Sequence, residues 1–260
     1  MSLRMAFVAD ALRVRISDSR EAMGLDAARA AGECIRALLR EKEEISMIFA
    51  AAPSQNETLR CLAREEGIDW SRVHAFHMDE YVGLSPEAPQ SFGCYLREHV
   101  FSRLPFRSVN YLCGDAPDAQ AECGRYGALL DRYPADVVML GIGENGHIAF
   151  NDPWVADFDD PVRVKVVPLD PVCRLQQVHD GCFERLEQVP ERALTLTIPA
   201  LARAGHLFCT VPAATKREAV TRTVTGPIGA QVPATVMRRH PDATLFCDPD
   251  SAADLLRGAR

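Results

Sequence analysis

The sequence predicts an α/β protein with a three-layer, Rossmann-like architecture: a mostly parallel sheet, helices on both faces and a lid segment. Short strand-type runs alternate with helix-type stretches along the first half of the chain, which is typical of a parallel sheet covered by helices. A length of 260 residues, 47% of them apolar, suits one core, so we expect residues 1–260 to form a single domain.

Four strand-then-helix steps open the predicted order of elements. The predicted strands of these steps are residues 46–52, 73–78, 109–113 and 136–141, and the helices between them are residues 58–66, 91–104 and 118–133. The second half adds strand candidates at 162–167, 193–198, 206–211 and 243–247, and a helix at 215–225. Residues 153–190, rich in Asp, Pro and Gln, are the least regular part and are the lid candidate.

Composition excludes several classes of function. A net charge of -7 gives no overall basic field, so neither nucleic acid nor an anionic membrane surface is an expected partner. The nine cysteines include no C-x-x-C pair and read as reduced thiols, without a disulfide framework or structural zinc site. No apolar run approaches the roughly 20 residues of a membrane span, and residues 1–20 carry several charges, so a cytoplasmic protein is expected.

The strongest local motif is LGIGENGHIAFNDP, at residues 140–153. A buried-looking strand runs into three glycines, of which Gly143 is the second, and His147 follows the third at the carboxyl end of that strand. Ligands bind at such strand ends in open α/β sheets. Asn145 and Asp152 adjoin the histidine, and Asp152 is placed to orient its imidazole. A tight turn with a histidine bonded to backbone is the alternative, and the clustered polar residues and glycines favour a functional site.

The second motif is HMDEYVGL, at residues 77–84, in which Asp79 and Glu80 end an apolar strand. Neighbouring residues on a strand point to opposite faces, so one carboxylate is expected to act in a cleft and the other to support it. Solvated surface is the alternative interpretation of such a pair.

A third, weaker set of residues points to an anion site. The loop of residues 51–56 lies between a predicted strand and a helix and offers the Ser54 hydroxyl and, next to it, Gln55. Arg174 and Lys216 are cations that would complete a phosphate site, although most such residues are only solvated surface.

These motifs resemble the glucosamine-6-phosphate deaminase/isomerase family, which shares its fold with the 6-phosphogluconolactonases. The resemblance starts near Asp18 and rests on the two motifs above, together with PQSFGCYL (89–96), VPERALTLTIPAL (189–201), VPAATKREAV (211–220) and, more weakly, HPDATLFCD (240–248). The residues DEYVGL favour the deaminase branch over the lactonases.

The resemblance implies catalytic roles. Asp79 matches the base that moves a proton from C2 to C1 of an open-chain amino sugar, and His147 matches the residue that opens the ring. Asp152 stands where the family usually has Glu, and Asn145 stands where members have Asp or Asn. The implied enzyme turns an amino-sugar 6-phosphate, such as glucosamine-6-phosphate, into a ketose 6-phosphate and ammonia without metal or cofactor.

The resemblance also implies a phosphate site made of Ser54, Arg174 and Lys216. The first loop departs from the family, because residues 52–55 read APSQ where known members have a Gly-Gly-Thr cradle. Fewer glycines restrict the approach of backbone to ligand, and Pro53 removes an N–H donor, so the identity of the sugar stays open.

Two other functions remain as alternatives. A lactonase would use His147 as the base that activates water, with a smaller role for Asp79. A sugar-phosphate sensor without turnover would need neither residue, so retention of both argues against it. Family members range from monomers to hexamers, and a homo-oligomer is among the expected states.

Overall fold

The computed structural model describes residues 3–258 and is built around an eight-stranded sheet. The strands are β1 Leu3–Ala9, β2 Leu12–Ser17, β3 Ile45–Phe49, β4 Val73–His77, β5 Asp79–Tyr81, β6 Ser108–Asn110, β7 Val137–Leu140, β8 Val164–Pro168, β9 Arg192–Leu196, β10 His206–Val211 and β11 Ala243–Cys247. The main sheet has the order β1-β2-β11-β10-β7-β3-β4-β6. Only its edge strand β1 runs antiparallel to its neighbour, which confirms the prediction of a mostly parallel sheet.

Helices cover both faces of this sheet. They are α1 Arg20–Glu41, α2 Asn56–Leu62, α3 Phe92–Leu96, α4 Ala119–Arg132, α5 Pro171–His179, α6 Ile198–Ala202, α7 Arg217–Thr225 and α8 Ala253–Gly258. Adjacent strand residues point to opposite faces, and accordingly Ile48 packs in a core cluster with Tyr126 of α4, whereas Met47 packs in another with Ile35 of α1. Two cores on one sheet make the three-layer α/β arrangement that the sequence predicts.

A second, three-stranded antiparallel sheet, β5-β9-β8, lies beyond the carboxyl end of β4. The predicted strand at 73–78 therefore ends at His77, and the chain continues after Met78 into β5, which pairs with β9 through Asp79 and Thr195. Alternating patterns along the sequence give no sign of this break. The break places Asp79 at the first position of a strand outside the main sheet.

The lid candidate, residues 153–190, is more regular than expected. It contains β8, the nine-residue helix α5 and a short 3-10 turn, Leu186–Gln188. The Asp and Pro residues that make it look irregular start α5: Asp170 accepts a hydrogen bond from the backbone N–H of Val172, and Pro171 occupies the first turn. The predicted helix at 91–104 is also modified, since α3 continues as a π-helix, Arg97–Phe101.

Within residues 3–258, none of the helices has the length and apolar character needed to cross a membrane.

The β1–β2 hairpin and α1 precede the first predicted strand. That residues 1–260 form one domain stays a prediction, and two residues at each end of that range lie outside the described part.

Candidate active site

A cleft lies at the carboxyl ends of β3, β4 and β7, where the polar loops that follow these strands meet. It is lined by six of the residues selected from the sequence: Ser54, Gln55, Asp79, Gly143, His147 and Lys216. Strand ends in a parallel sheet gather loops that are far apart in sequence, which is why one cleft collects residues that follow four strands, β3, β4, β7 and β10. Asn145, Asp152 and Glu80 lie behind this first layer.

Asp79 presents an unpartnered carboxylate to the cleft. It is buried, and among residues 3–258 no group donates a hydrogen bond to its carboxylate oxygens. Burial, and secondarily the charge of Glu80, raises the pKa of Asp79 well above its usual value. A carboxyl group with a raised pKa is a stronger base when ionised, as proton transfer from carbon requires.

Glu80 is turned away from the cleft and caps α3. Its carboxylate accepts hydrogen bonds from the hydroxyl of Ser91 at 2.7 Å and from the backbone N–H groups of Tyr81, Phe92 and Gly93 at 2.9, 3.2 and 2.9 Å. Burial raises its pKa, and these four bonds partly offset that effect. The two carboxylates therefore point to different sides, as the sequence predicts: Asp79 faces the cleft, and Glu80 fixes the local backbone.

His147 is oriented by Asn145 and Asp152. Its Nδ1 lies 2.8 Å from Oδ1 of Asn145 and 3.1 Å from Oδ1 of Asp152. The amide Nδ2 of Asn145 donates to the same Asp152 oxygen at 2.8 Å, so its Oδ1 is the atom that faces the imidazole. Both neighbours of Nδ1 are acceptors, hence Nδ1 carries the proton and the neutral ring keeps the lone pair of Nε2 for proton transfer.

Asp152 is fully buried and stays ionised. Burial alone would raise its pKa, but the hydrogen bond from His147, the charge that this ring carries once it is protonated, the bond from Asn145 and a bond from the backbone N–H of Asp170 together lower it. Asp152 therefore still reaches His147, although its side chain is shorter than that of the Glu usual in the family. An ionised carboxylate at this place stabilises the imidazolium that forms when His147 takes a proton.

Gly143 supports the histidine by its lack of a side chain. A Cβ at this position would lie 2.0 Å from Cε1 of His147, so any other residue would displace the ring. Its N–H donates to the carbonyl of His147 at 2.9 Å and is therefore not free for a ligand. Gly143 lines the cleft, and its assignment to substrate binding stays a prediction. Gly146, at φ +91°, supplies the left-handed conformation that closes the turn.

Lys216 brings an unpaired positive charge to the other side of the cleft. Its side chain is 4% exposed, and Nζ has no hydrogen-bond partner among the described residues. Burial lowers the pKa of Lys216, while the charges of Asp180 and Glu144 act in the opposite direction. A buried ammonium without a partner is costly, so it fits a site that an anionic ligand completes.

Gln55 lines the same end of the cleft but has no donor left for a ligand. Its Nε2 donates to Oγ of Ser54 and to the carbonyl of Thr210, both at 3.2 Å, and its Oε1 accepts from Oγ1 of Thr210 at 2.8 Å. An amide has two N–H donors, and both are used. The expectation that Gln55 binds phosphate directly is therefore corrected: it lies behind Ser54.

Arg174 lies away from the cleft. Its Nη2 donates to the carbonyls of Leu186 and Val189 at 3.0 and 2.8 Å, and it is not among the lining residues. The expected phosphate clamp of Arg174 with Lys216 is therefore not assembled in this conformation, because the guanidinium holds the segment after α5 to α5 itself. Its Nε is buried and has no hydrogen-bond partner in the part of the chain that the structure describes.

The lid candidate supplies lining residues that the sequence did not single out. Gln176, Gln177 and Asp180, from α5 and its end, face the cleft. The Gln-rich composition of the segment was the available signal. Thr210, which holds Gln55, gave no signal because it is 155 residues away along the chain.

One group of the described residues has the donors for a metal ion. His147, Asp152 and Cys173 each offer a ligand atom, and these atoms lie within 4.8 Å of one another. The Nδ1 proton of His147 already occupies the space towards Asp152, so the hydrogen-bonded arrangement is complete without a metal ion. The expectation of no metal and no cofactor stays a prediction.

Comparisons with known proteins identify the family of this chain. The family model for glucosamine-6-phosphate isomerases/6-phosphogluconolactonase matches residues 18–164. A glucosamine-6-phosphate deaminase of Listeria monocytogenes is 34% identical over 210 residues, which cover 81% of this chain and 88% of the relative. One from Lactobacillus delbrueckii is 35% identical over 190 residues, covering 73% of this chain and 79% of the relative.

Solved structures show the same fold. A monomeric glucosamine-6-phosphate deaminase superposes with a TM-score of 0.84 at 29% identity, covering 92% of this chain and 98% of that one. The 6-phosphogluconolactonase of Trypanosoma brucei superposes with a TM-score of 0.75 at 17% identity, covering 93% and 98%. The second likeness concerns the fold alone.

Proposed function

The chain belongs to the glucosamine-6-phosphate isomerase/6-phosphogluconolactonase family, and we propose that it isomerises and deaminates an amino-sugar 6-phosphate, glucosamine-6-phosphate foremost, to a ketose 6-phosphate and ammonia.

The observation that carries this proposal is the pair of opposite, unpartnered charges in one cleft. The carboxylate of Asp79 and the ammonium of Lys216 are both buried, and neither has a partner within residues 3–258. Each is expensive to bury unless a ligand of opposite charge completes it. An amino-sugar phosphate has a cationic amine at C2 and an anionic phosphate at C6, so it complements both charges at once.

The phosphate would be held at the Lys216 end, with the Ser54 hydroxyl as a second donor. Remote binding of this kind fixes the position of C1 and C2 relative to Asp79, which is how orientation lowers the barrier to reaction. Asp180 also lines this end, and its negative charge is a feature that substrate binding has to accommodate.

Nε2 of His147 would take the proton of the C1 hydroxyl and deliver it to the ring oxygen, so the bond between C1 and the ring oxygen breaks and the pyranose opens. Asp79, ionised by the nearby substrate ammonium, then takes the proton from C2 and returns it to C1. The C2 ammonium gives up a second proton to the C1 oxygen, so the C1 aldehyde becomes an alcohol and the C2 amine becomes an iminium group. Water adds to C2 and ammonia leaves, which gives the ketose phosphate.

A lactonase is the second candidate, because solved lactonases share the fold and Nε2 of His147 is a base able to activate water. It would give no role to the unpartnered Asp79. The identity of 34% to deaminases over 81% of the chain favours the first proposal.

The test is ammonia release from glucosamine-, galactosamine- and mannosamine-6-phosphate, beside hydrolysis of 6-phosphogluconolactone. Asp79→Asn should abolish ammonia release, while Asp159→Asn, a change at an exposed carboxylate outside the cleft, should leave it intact. Lactone hydrolysis without ammonia release would reject the proposal in favour of the second candidate.

We also propose a cytoplasmic location, with a small-molecule sugar phosphate as the partner and no role for nucleic acid. A homo-oligomer remains the prediction for the assembly, and light scattering at several protein concentrations tests it.

A further inference from the structure

The loop between β3 and α2 is held by side chains from outside it. Residues 51–56 contain no glycine. The hydroxyl of Tyr95 donates to the carbonyl of Ala52, and Nη2 of Arg20 donates to the carbonyl of Pro53, both at 2.7 Å. These anchors fix the backbone of the two residues that precede Ser54, and so they fix where its side chain starts.

Gln55 then fixes the hydroxyl of Ser54. Its amide has one possible orientation, because the Thr210 carbonyl requires an N–H donor and the Thr210 hydroxyl donates to Oε1. The remaining N–H of Nε2 points at Oγ of Ser54. Gly141 leaves room for this arrangement, since a Cβ there would lie 2.9 Å from Nε2 of Gln55.

The consequence concerns the single proton of the Ser54 hydroxyl. Oγ already accepts a hydrogen bond from Gln55, and none of the residues described accepts one from Ser54. Its proton is therefore directed to the cleft, at the end where the ammonium of Lys216 lacks a partner.

We propose that Gln55 is a positioning residue: by donating to Oγ of Ser54, it makes that hydroxyl a donor to the phosphate of the substrate. This proposal rests on the function proposed above. Anion binding in this chain then depends on a relay from Thr210 through Gln55 to Ser54, where a glycine-rich loop would use backbone N–H groups.

A double-mutant cycle tests the relay. Gln55→Met keeps the length of the side chain and removes the amide, so the Ser54 hydroxyl is free to rotate among its three staggered positions. We expect KM for glucosamine-6-phosphate to rise about 3- to 10-fold, with kcat within about 2-fold, because the phosphate is remote from the reacting carbons. Ser54→Ala should raise KM about 10-fold or more through the lost bond to a charged group.

The decisive measurement is Gln55→Met in the Ser54→Ala background, where it should add less than about 2-fold if Gln55 acts through the hydroxyl. Ser54→Thr, which keeps a hydroxyl, should restore the sensitivity to Gln55→Met. An equal effect of Gln55→Met in both backgrounds, no effect in either, or a loss of kcat in place of affinity would overturn the proposal.

The dissociation constant of inorganic phosphate, measured by calorimetry, repeats the cycle without turnover. An enzyme that binds phosphate but releases no ammonia would refute the proposed function, and the cycle would still decide the role of Gln55. Wild-type protein that does not bind phosphate would overturn the inference. Thr210→Val is the second variant should Gln55→Met fail to fold: it frees Oε1 and should weaken binding only when Ser54 is present.

Discussion

Replacing Lys216 with methionine should stabilise the protein and weaken its substrate binding at the same time. Lys216 is 4% exposed, and its ammonium has no hydrogen-bond partner among the described residues. Methionine has a similar length and no charge, so Lys216→Met removes an uncompensated buried charge without leaving a large cavity. The same change removes the cation proposed to bind phosphate.

The two effects have separate magnitudes. Removal of the buried charge should raise the free energy of unfolding by about 1–2 kcal/mol, which corresponds to roughly 2–8 °C in Tm for a chain of this size. Loss of a charge-assisted hydrogen bond to phosphate should cost about 1.5–3 kcal/mol of binding, an increase in KM of roughly 10- to 150-fold. Inorganic phosphate at about 100 times its Kd should stabilise the wild type by about 2.7 kcal/mol and leave the variant nearly unchanged.

Lys165 is the matched control. Its Nζ donates to the carbonyl of Val155 at 2.7 Å and pairs with Asp160 at 2.8 Å. Lys165→Met leaves the carboxylate of Asp160 without its partner and should destabilise the protein by about 2–3 kcal/mol without changing the effect of phosphate. Thermal unfolding with and without phosphate, together with KM, measures both variants. A lower Tm for Lys216→Met in buffer, or an undiminished phosphate effect, would refute the reasoning.

Four further predictions concern residues of the site. The raised pKa of Asp79 should place the acid limb of kcat/KM above the range of an ordinary carboxyl group, with activity lost as pH falls and the base is protonated; a limb at the ordinary carboxyl pKa would contradict this. Because its folded pKa is raised, ionising Asp79 costs stability as pH rises, so the free energy of unfolding of Asp79→Asn should exceed that of wild type most at neutral pH, which urea titrations at several pH values test. Gly143→Ala should lower kcat about 100-fold or more, since the methyl group displaces the imidazole of His147 and misplacements near 1 Å have this effect; a normal kcat would show that the ring need not stay there. Glu80→Gln should lower the free energy of unfolding by about 2–3 kcal/mol, roughly 4–12 °C in Tm, because an amide nitrogen then faces the N–H donors of α3. Calorimetry measures this, and an unchanged Tm would contradict the prediction.

Local patterns in the sequence predicted six of the eight strands of the main sheet, all but β1 and β2, and the two motifs whose residues line the cleft. The runs at β10 and β11 are short, apolar and bounded, and the structure places both strands as predicted. The glycine–histidine turn is a contiguous motif, so its residues meet whatever the rest of the chain does: Asn145, His147 and Asp152 lie within eight positions and bond to each other. The long helix α1 was not predicted. Only 9 of its 22 residues are buried, and the alternation of strands and helices used for the prediction starts after it.

The sequence by itself determined which chemistry-bearing residues this protein has, since strand ends, glycine turns and the division of Asp79 from Glu80 follow from local periodicity. Only the tertiary structure decided how the donors of those residues are used. The guanidinium of Arg174 donates to the carbonyls of Leu186 and Val189, 12 and 15 positions ahead in the chain. The amide of Gln55 is bonded to Thr210, 155 positions away. A hydrogen-bond donor has a fixed capacity, and contacts between residues distant in sequence decide whether any of that capacity is left for a ligand.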